Sequence, residues 1–239
     1  VDGHLTITKE QITEGTFLLI DKPLDWTSFD VVAKVRGCLR SQFGKLKVGH
    51  AGTLDPKATG LLVLAISKFT KKIDTVQALE KQYTGQIHLG KSTTTYDVEG
   101  EIVEDKSIAD ITPEMIFETA KSFIGFNKQI PPMFSARKVK GKALYKYARE
   151  GKIIERQPKT VEVKRFDVDS IELPYLTFTI DCSKGTYIRS IAHDMGERLN
   201  NAAHLSALRR TAIGEHKVEN AWQIPDLEAA IKSLGDENL

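Results

Sequence analysis

One carboxylate, Asp55, stands in a turn crowded with Gly49, Gly52, Pro56 and Gly60, inside the segment VGHAGTLDPKATGLLVLAI that runs from Val48 to Ile66. An apolar run, Leu61 to Ile66, follows it and reads as a buried strand. A Gly/Pro-rich turn carried by a rigid strand is a common mount for a catalytic side chain. A carboxylate held there can attack as a nucleophile or remove a proton, depending on its ionisation and pose. The same spacing also suits Asp55 as the cap of a short helix with Pro56 at its first position. The residues alone leave both readings open.

A second segment could do different chemistry. Gly85 to Ser92, GQIHLGKS, matches the phosphate-cradle pattern G-x-x-x-x-G-K-[ST] letter for letter. That would make the chain a nucleotide-binding protein. The cradle needs a strand before the loop and a helix after it, so that backbone N–H groups meet the phosphates. Gln86 to Leu89 instead alternates like a strand interior. The Thr93-Thr94-Thr95-Tyr96-Asp97 that follows is a poor helix start. The nucleotide-binding reading is therefore the weaker alternative.

The elements that must position these residues follow from periodicity. Phe17 to Ile20 reads as a short buried strand before a Lys22-Pro23 turn. Ser28 suits an N-cap, with Val31, Val32, Val35 and Leu39 on one face of a helix to about Arg40. Phe69 to Leu79 reads as helical. Tyr83 to Leu89 reads as a strand with Tyr83, Ile87 and Leu89 on one face. Thr94 to Gly100 reads as a polar loop before a short strand, Glu101 to Val103. Thr112 caps a helix to about Phe123, Gln129 to Pro132 is extended, and Ala143 to Glu150 is a short helix. Val161 to Leu173 and Leu176 to Cys182 form a hairpin around Pro174. Tyr187 to Leu199 reads as a helix, Leu205 to Ile213 as extended and Asp226 to Leu234 as a last helix. Strands and helices interleave without strict alternation, so the expected class is α+β with a mixed, largely antiparallel sheet flanked by helices.

Composition narrows the class. At 239 residues the chain can bury a sizeable core, and 41% hydrophobic with 28% charged residues is ordinary for a globular protein. It has no apolar run of membrane-spanning length, and VDGHLTITKE does not read as a secretory signal. The two cysteines, Cys38 and Cys182, and six scattered histidines form no metal-ligand spacing. No metal and a reducing cytoplasmic home are expected. Net charge is only +2, yet Phe134 to Arg165 holds 11 Lys/Arg against 3 Glu, a local +8. Val31 to Leu54 adds Lys34, Arg36, Arg40, Lys45 and Lys47 with no acids. Such asymmetry fits a surface facing a polyanion, and fits equally a solvated lysine-rich face.

Several blocks taken in order resemble one family. The Asp55 segment is similar to the nucleophile motif of the TruB family of pseudouridine synthases. LLIDKPLDWTSFDVV, EKQYTGQIHLG, QIPPMFSARKVKGKALYKYAREG, CSKGTYIRSIAHDMGERL and AHLSALRR resemble its other motifs, across roughly residues 15 to 215. Long motifs in the right order are far more specific than one short pattern.

The resemblance implies a pseudouridine-synthase-like sheet with the active-site cleft across it, and isomerisation of the uridine at position 55 in the T-loop of tRNA after flipping it from its stack. It implies that Asp55 is the essential catalytic group and that Arg189 pairs with it, holding it ionised and aimed. It implies that Tyr83 stacks on the flipped uracil, that Tyr187 and Leu208 line the pocket, that His50 contacts RNA and that Lys22 orients the site. Arg209 and Arg210 would meet phosphates, and Lys91 would lie on the RNA surface. Taken singly, Tyr83 and Leu208 also read as core, His50 as structural and Arg189 as a surface arginine. No cofactor is implied. The expected partner is the tRNA T-stem-loop, the expected state a monomer, and a non-catalytic tRNA chaperone is a further alternative.

The chain departs from the family pattern where many members have PPMYSA, because Phe134 replaces the tyrosine and a phenol hydrogen bond is lost. The expected organisation is an extension at 1–14, a catalytic domain at 15–214 and a short acidic helical segment at 215–239 in place of a complete C-terminal RNA-binding domain.

Overall fold

The computed structural model describes residues 5–236. The chain begins with helix α1 (Lys9–Glu14), strand β1 (Phe17–Lys22), helix α2 (Ser28–Phe43) and strands β2 (Val48–His50) and β3 (Ala58–Ile66). A 3₁₀ segment, Ser67–Lys72, leads into α3 (Ile73–Ala78). The middle holds β4 (Lys81–Leu89), β5 (Lys91–Thr93), β6 (Ile102–Asp105), α4 (Pro113–Ser122), β7 (Gly125–Gln129), the small hairpin β8 (Lys138–Val139) and β9 (Lys142–Ala143), and α5 (Leu144–Arg149). The long hairpin β10 (Lys159–Glu172) and β11 (Tyr175–Cys182) precedes α6 (Ile188–Arg198), β12 (Ala203–Ile213), β13 (His216–Lys217) and α7 (Ile224–Asp236). The α+β class with a mixed, mostly antiparallel sheet and flanking helices is what the alternation pattern led one to expect.

The described residues divide into two compact units, 5–82 with 209–236 and 83–208. In the first, β3 pairs antiparallel with both β1 and β2. Leu62, Leu64 and Ile66 of β3 pack with Val31, Val35 and Leu39 of α2 and Leu227 and Ile231 of α7. Leu61 and Val63 point the other way, onto Val76, Ile213 and Val218. Burial on both faces explains why LLVLAI is a continuous apolar run rather than an alternating one.

In the second unit β10 pairs antiparallel with β11 and with β7. The inward residues Leu176, Phe178, Ile180 and Cys182 of β11 are all buried, as their alternation requires. Phe123, after α4, meets Phe166 of β10 at 5.8 Å, and Phe166 meets Phe178 at 5.9 Å. Tyr83, Ile87 and Leu89 of β4 share the buried face.

Four local expectations are corrected. Thr27, not Ser28, caps α2, forming a reciprocal box with Asp30. Ser28 is the first helical residue, and α2 continues to Phe43. The stretch from Phe69 to Leu79 splits into a 3₁₀ turn and a short helix. Pro56 and Lys57 form a turn that enters β3, so Asp55 caps no helix.

The phosphate-cradle reading of GQIHLGKS fails as well. Its residues form the end of β4, a Gly90 turn with φ +90°, and the start of β5, with no helix after them. A side chain at Gly85 would sit 2.5 Å from the Ala207 carbonyl and 2.6 Å from Phe178 Cζ. That glycine is required for close strand packing, not for cradling phosphate. Lys91 Nζ lies 3.4 Å from Asp105 Oδ2.

Candidate active site

The seven residues singled out in the sequence fall into two groups. Lys22, His50 and Asp55 lie in the first unit, and Tyr83, Tyr187, Arg189 and Leu208 in the second.

Asp55 is half-buried in a loop fastened on both sides. Before it, the Ser28 hydroxyl accepts from Leu54 N at 2.8 Å and lies 3.1 Å from Leu54 O. After it, the Pro56 carbonyl accepts from Asp25 N at 3.0 Å and from Lys22 Nζ at 3.3 Å. The Arg210 guanidinium donates to the carbonyls of Leu61 at 2.8 Å and Gly52 at 3.2 Å. Gly60, at φ +100°, lets β3 approach Arg210 so closely that a Cβ would stand 2.3 Å from its carbonyl oxygen. The motif's glycines and the arginine thus form one scaffold beneath Asp55.

Arg210 is only 1% exposed, so it buttresses this loop instead of meeting a phosphate. Arg209 makes a two-point contact with Asp21, at 3.0 and 2.7 Å. The expectation that Arg210 reads an RNA phosphate is therefore corrected, while Arg209, with its side chain 40% exposed, stands at the surface beside Asp21.

Lys22, at 0% exposure, lies at the end of β1 and donates to the carbonyls of Trp26 at 2.6 Å and Pro23 at 2.9 Å. Burial lowers its pKa from 10.5 to about 8, against the attraction of Asp55 and Asp25. Between about pH 8 and 10.5 the unfolded chain then binds more protons at this site than the folded chain. Lys22 therefore makes stability rise with pH across that window. Lys22→Met should remove this rise, and thermal midpoints of both proteins from pH 7.5 upward would reveal it. Parallel curves would show that Lys22 titrates as an ordinary lysine.

His50, at the end of β2, is half-buried, with its Nδ1 buried and without a hydrogen-bond partner among the described residues. Burial lowers its pKa, a backbone hydrogen bond at Gly52 opposes this, and the Arg210 cation adds to the lowering. A neutral imidazole is favoured there.

In the second unit Arg189 is 4% exposed in the first turn of α6. Its Nε lies 3.4 Å from Oδ2 of Asp97, itself 5% exposed. Its terminal nitrogens donate to the carbonyls of Thr95 at 3.1 Å and Phe134 at 2.7 Å. Asp97 Oδ1 in turn accepts from Thr95 Oγ1 at 2.5 Å and from Glu99 N at 3.0 Å. The Tyr96 ring stacks on His193, one turn beyond Arg189, at 3.9 Å. One Asp97 oxygen thus faces the guanidinium, while the other fixes the carboxylate in its turn.

The QIPPMF segment completes the clamp. The Gln129 amide donates to Tyr187 O at 3.0 Å and accepts from Tyr187 N at 2.8 Å. The Ser190 hydroxyl donates to Ile130 O at 3.1 Å. Phe134 serves Arg189 through its backbone carbonyl, which a tyrosine or a phenylalanine supplies alike. Tyr83 is buried on β4, and Tyr187 and Leu208 are half-buried.

A fixed carboxylate beside a buried ammonium in the first unit, and in the second a guanidinium held by Asp97 and two backbone carbonyls, are parts suited to acid–base or nucleophilic work on a polar substrate. Comparison with known proteins gives this a family. Residues 40–188 match the model of the TruB family pseudouridylate synthase N-terminal domain, and residues 189–238 match that of the tRNA pseudouridylate synthase B C-terminal domain. The chain belongs to the TruB family.

Relatives named tRNA pseudouridine synthase B include one from Chloroherpeton thalassium, 51% identical over 92% of this chain and 92% of that protein. Another, from Flavobacterium johnsoniae, is 45% identical over 95% of this chain and 100% of the relative. Among solved structures, a Cbf5-Nop10-Gar1 complex aligns with TM-score 0.73 at 28% identity, covering 97% of this chain and 58% of that one. An H/ACA RNP bound to a substrate RNA containing 2′-deoxyuridine gives TM-score 0.71 at 27% identity, covering 97% of this chain and 57% of that one. The chain therefore spans less than two thirds of these structural neighbours.

Sequence reading missed Asp97, Gln129 as a clamp, and the buried role of Arg210. The signal available for Asp97 was an acid inside a run of threonines that can hydrogen-bond it. Nothing in that run announces burial. Among the described residues no helix is long and apolar enough to cross a membrane.

Proposed function

We propose that this chain isomerises the uridine at position 55 in the T-loop of tRNA to pseudouridine. The observation that carries the reading is Asp55, fixed in the family's motif beside the buried Lys22 ammonium. The N1–C1′ bond of the nucleotide breaks and a C5–C1′ bond forms. The proton at C5 leaves and N1 ends protonated, so nothing is exchanged with another molecule except solvent protons. The chemistry therefore calls for no electron or group carrier.

Asp55 acts as nucleophile or base at the ribose or uracil. The uridine is first extruded from its stack. Tyr83 stacks on the freed base, a contact of about 1–3 kcal/mol in comparable sites. Arg189, held by Asp97, serves the same uridine, with Tyr187 and Leu208 as pocket contacts. Residues 15–214 form the catalytic domain, with the acidic segment after it contributing little RNA affinity. The relatives' name supports tRNA as substrate, and the protein works as a cytoplasmic monomer.

Incubation with unmodified tRNA, followed by mapping of pseudouridine, tests the reading. Conversion at position 55 alone is expected. Tight tRNA binding with no conversion would favour the non-catalytic chaperone. Binding should also weaken steeply with salt, because exposed lysines between 134 and 165, such as Lys138, Lys140 and Lys146, displace counterions from phosphates. A flat response in a fluorescence titration across a salt series would make them a plain solvated face.

A further inference from the structure

The Asp55 loop is not the end of the polar surface in the first unit. A cavity of about 530 Å³ opens beside α2, lined by Arg36, Arg40, Lys45, Lys47, Val48 and Gly49 among others. The four cations are exposed, and none forms an ion pair among the described residues. No acidic residue lines the cavity. Four exposed like charges in one groove, with no acid in its lining, give it a positive potential that attracts an anion.

Both walls of the groove lead to Asp55. On α2, Phe29, Arg36 and Arg40 follow a spacing of seven and four, which places them on one face of the helix. Phe29 is 63% exposed, and the Arg36 guanidinium lies 5.9 Å from its ring centroid. Phe29 adjoins Ser28, whose hydroxyl is bonded to Leu54, the residue before Asp55. On the other wall, Val48 and Gly49 continue along β2 into His50. From Phe29 to Arg40 the helix rises about 16 Å. That is the axial length of about five nucleotides in one strand of a duplex.

We propose that this groove is a track for the RNA phosphates next to the nucleotide handled at Asp55. Arg36, Arg40, Lys45 and Lys47 neutralise successive phosphates, and Phe29 offers a face on which an unpaired base stacks. The proposal rests on the function proposed above only in taking RNA as the ligand. It assigns RNA grip to the first unit, in addition to the basic stretch between 134 and 165.

The test measures binding of unmodified tRNA by fluorescence titration across a salt series, in an Asp55→Asn background so that no turnover intervenes. Arg40→Glu/Lys45→Glu should weaken binding by more than tenfold at low salt, and flatten the log–log salt slope by roughly 1.5–2 as two phosphate contacts are lost. Phe29→Ala should weaken binding several-fold and leave the slope unchanged. Lys232→Glu, a charge reversal at an exposed position of α7, should match the parent. Circular dichroism checks folding, and Arg40→Gln/Lys45→Gln carries the test if the glutamate pair unfolds.

Binding by both double variants within twofold of the parent, with an unchanged slope, would overturn the proposal. So would inorganic pyrophosphate binding that the double variant abolishes while tRNA binding stays intact, since the groove would then serve a small phosphate ligand. Absence of pseudouridine formation by the unmutated chain would instead count against the proposed reaction and leave these binding results standing.

Discussion

Asp55→Asn should abolish isomerisation, to below about one percent of the unmutated rate, while tRNA affinity changes by less than tenfold, about 1.4 kcal/mol. The amide is nearly isosteric with the carboxylate but is neither a competent nucleophile nor a base at neutral pH. The loop should survive the change, because its named anchors belong to its neighbours. Ser28 holds Leu54, Lys22 and Asp25 hold the Pro56 carbonyl, and Arg210 holds Gly52 and Leu61. Single-turnover assays with enzyme in excess, beside equilibrium binding, separate chemistry from affinity. Turnover above one percent would assign the chemistry to another group. A collapse of binding would mean that the carboxylate shapes the RNA surface and does not act on the uridine alone.

What the sequence made legible about this site was whatever depends on local pattern. The Gly/Pro turn before LLVLAI located Asp55, because a doubly buried strand has to be a continuous apolar run. Alternation put Tyr83 with Ile87 and Leu89, and the same rule oriented the β11 face. Contacts made at long range through backbone carbonyls were not legible. Arg210 looks like any cation in a basic dipeptide, yet its guanidinium is spent on Gly52 and Leu61, some 150 residues away in the chain. Ser28 has the composition of a cap but is used as a strut, since Thr27 takes the cap with Asp30. Gly85 matches a phosphate cradle in letters, whereas its reason is the Ala207 carbonyl and the Phe178 ring pressed against it. Asp97 sits in a run that reads as polar loop, because sequence pattern carries no information on which polar side chains will be enclosed with a partner.

The pairing of Asp97 with Arg189 yields the second large effect. Arg189→Ala should lower the single-turnover rate by three orders of magnitude or more, with little loss of tRNA binding, because under the proposed function the group lost serves the uridine and not the RNA backbone. It also strands Asp97 as a buried carboxylate without its cation, which costs about 3–5 kcal/mol where such pairs have been broken. A fall in thermal midpoint is therefore expected with it. Arg189→Lys should rescue the fold better than the rate, since an ammonium cannot reach Asp97, Thr95 and Phe134 in the same planar arrangement. Asp97→Asn is the sharper variant. The amide oxygen can keep accepting from Thr95 and Glu99, so the turn persists and the charge aiming Arg189 is lost. A hydrogen bond to a charged group contributes roughly 1.5–3 kcal/mol, which corresponds to a drop of about 10- to 150-fold. If Asp97 only stabilises the turn, Asp97→Asn will lower the thermal midpoint and leave the single-turnover rate untouched. If Arg189 variants react normally once bound but bind poorly, Arg189 is a phosphate contact, and the Asp97 pair serves to hold it toward the RNA.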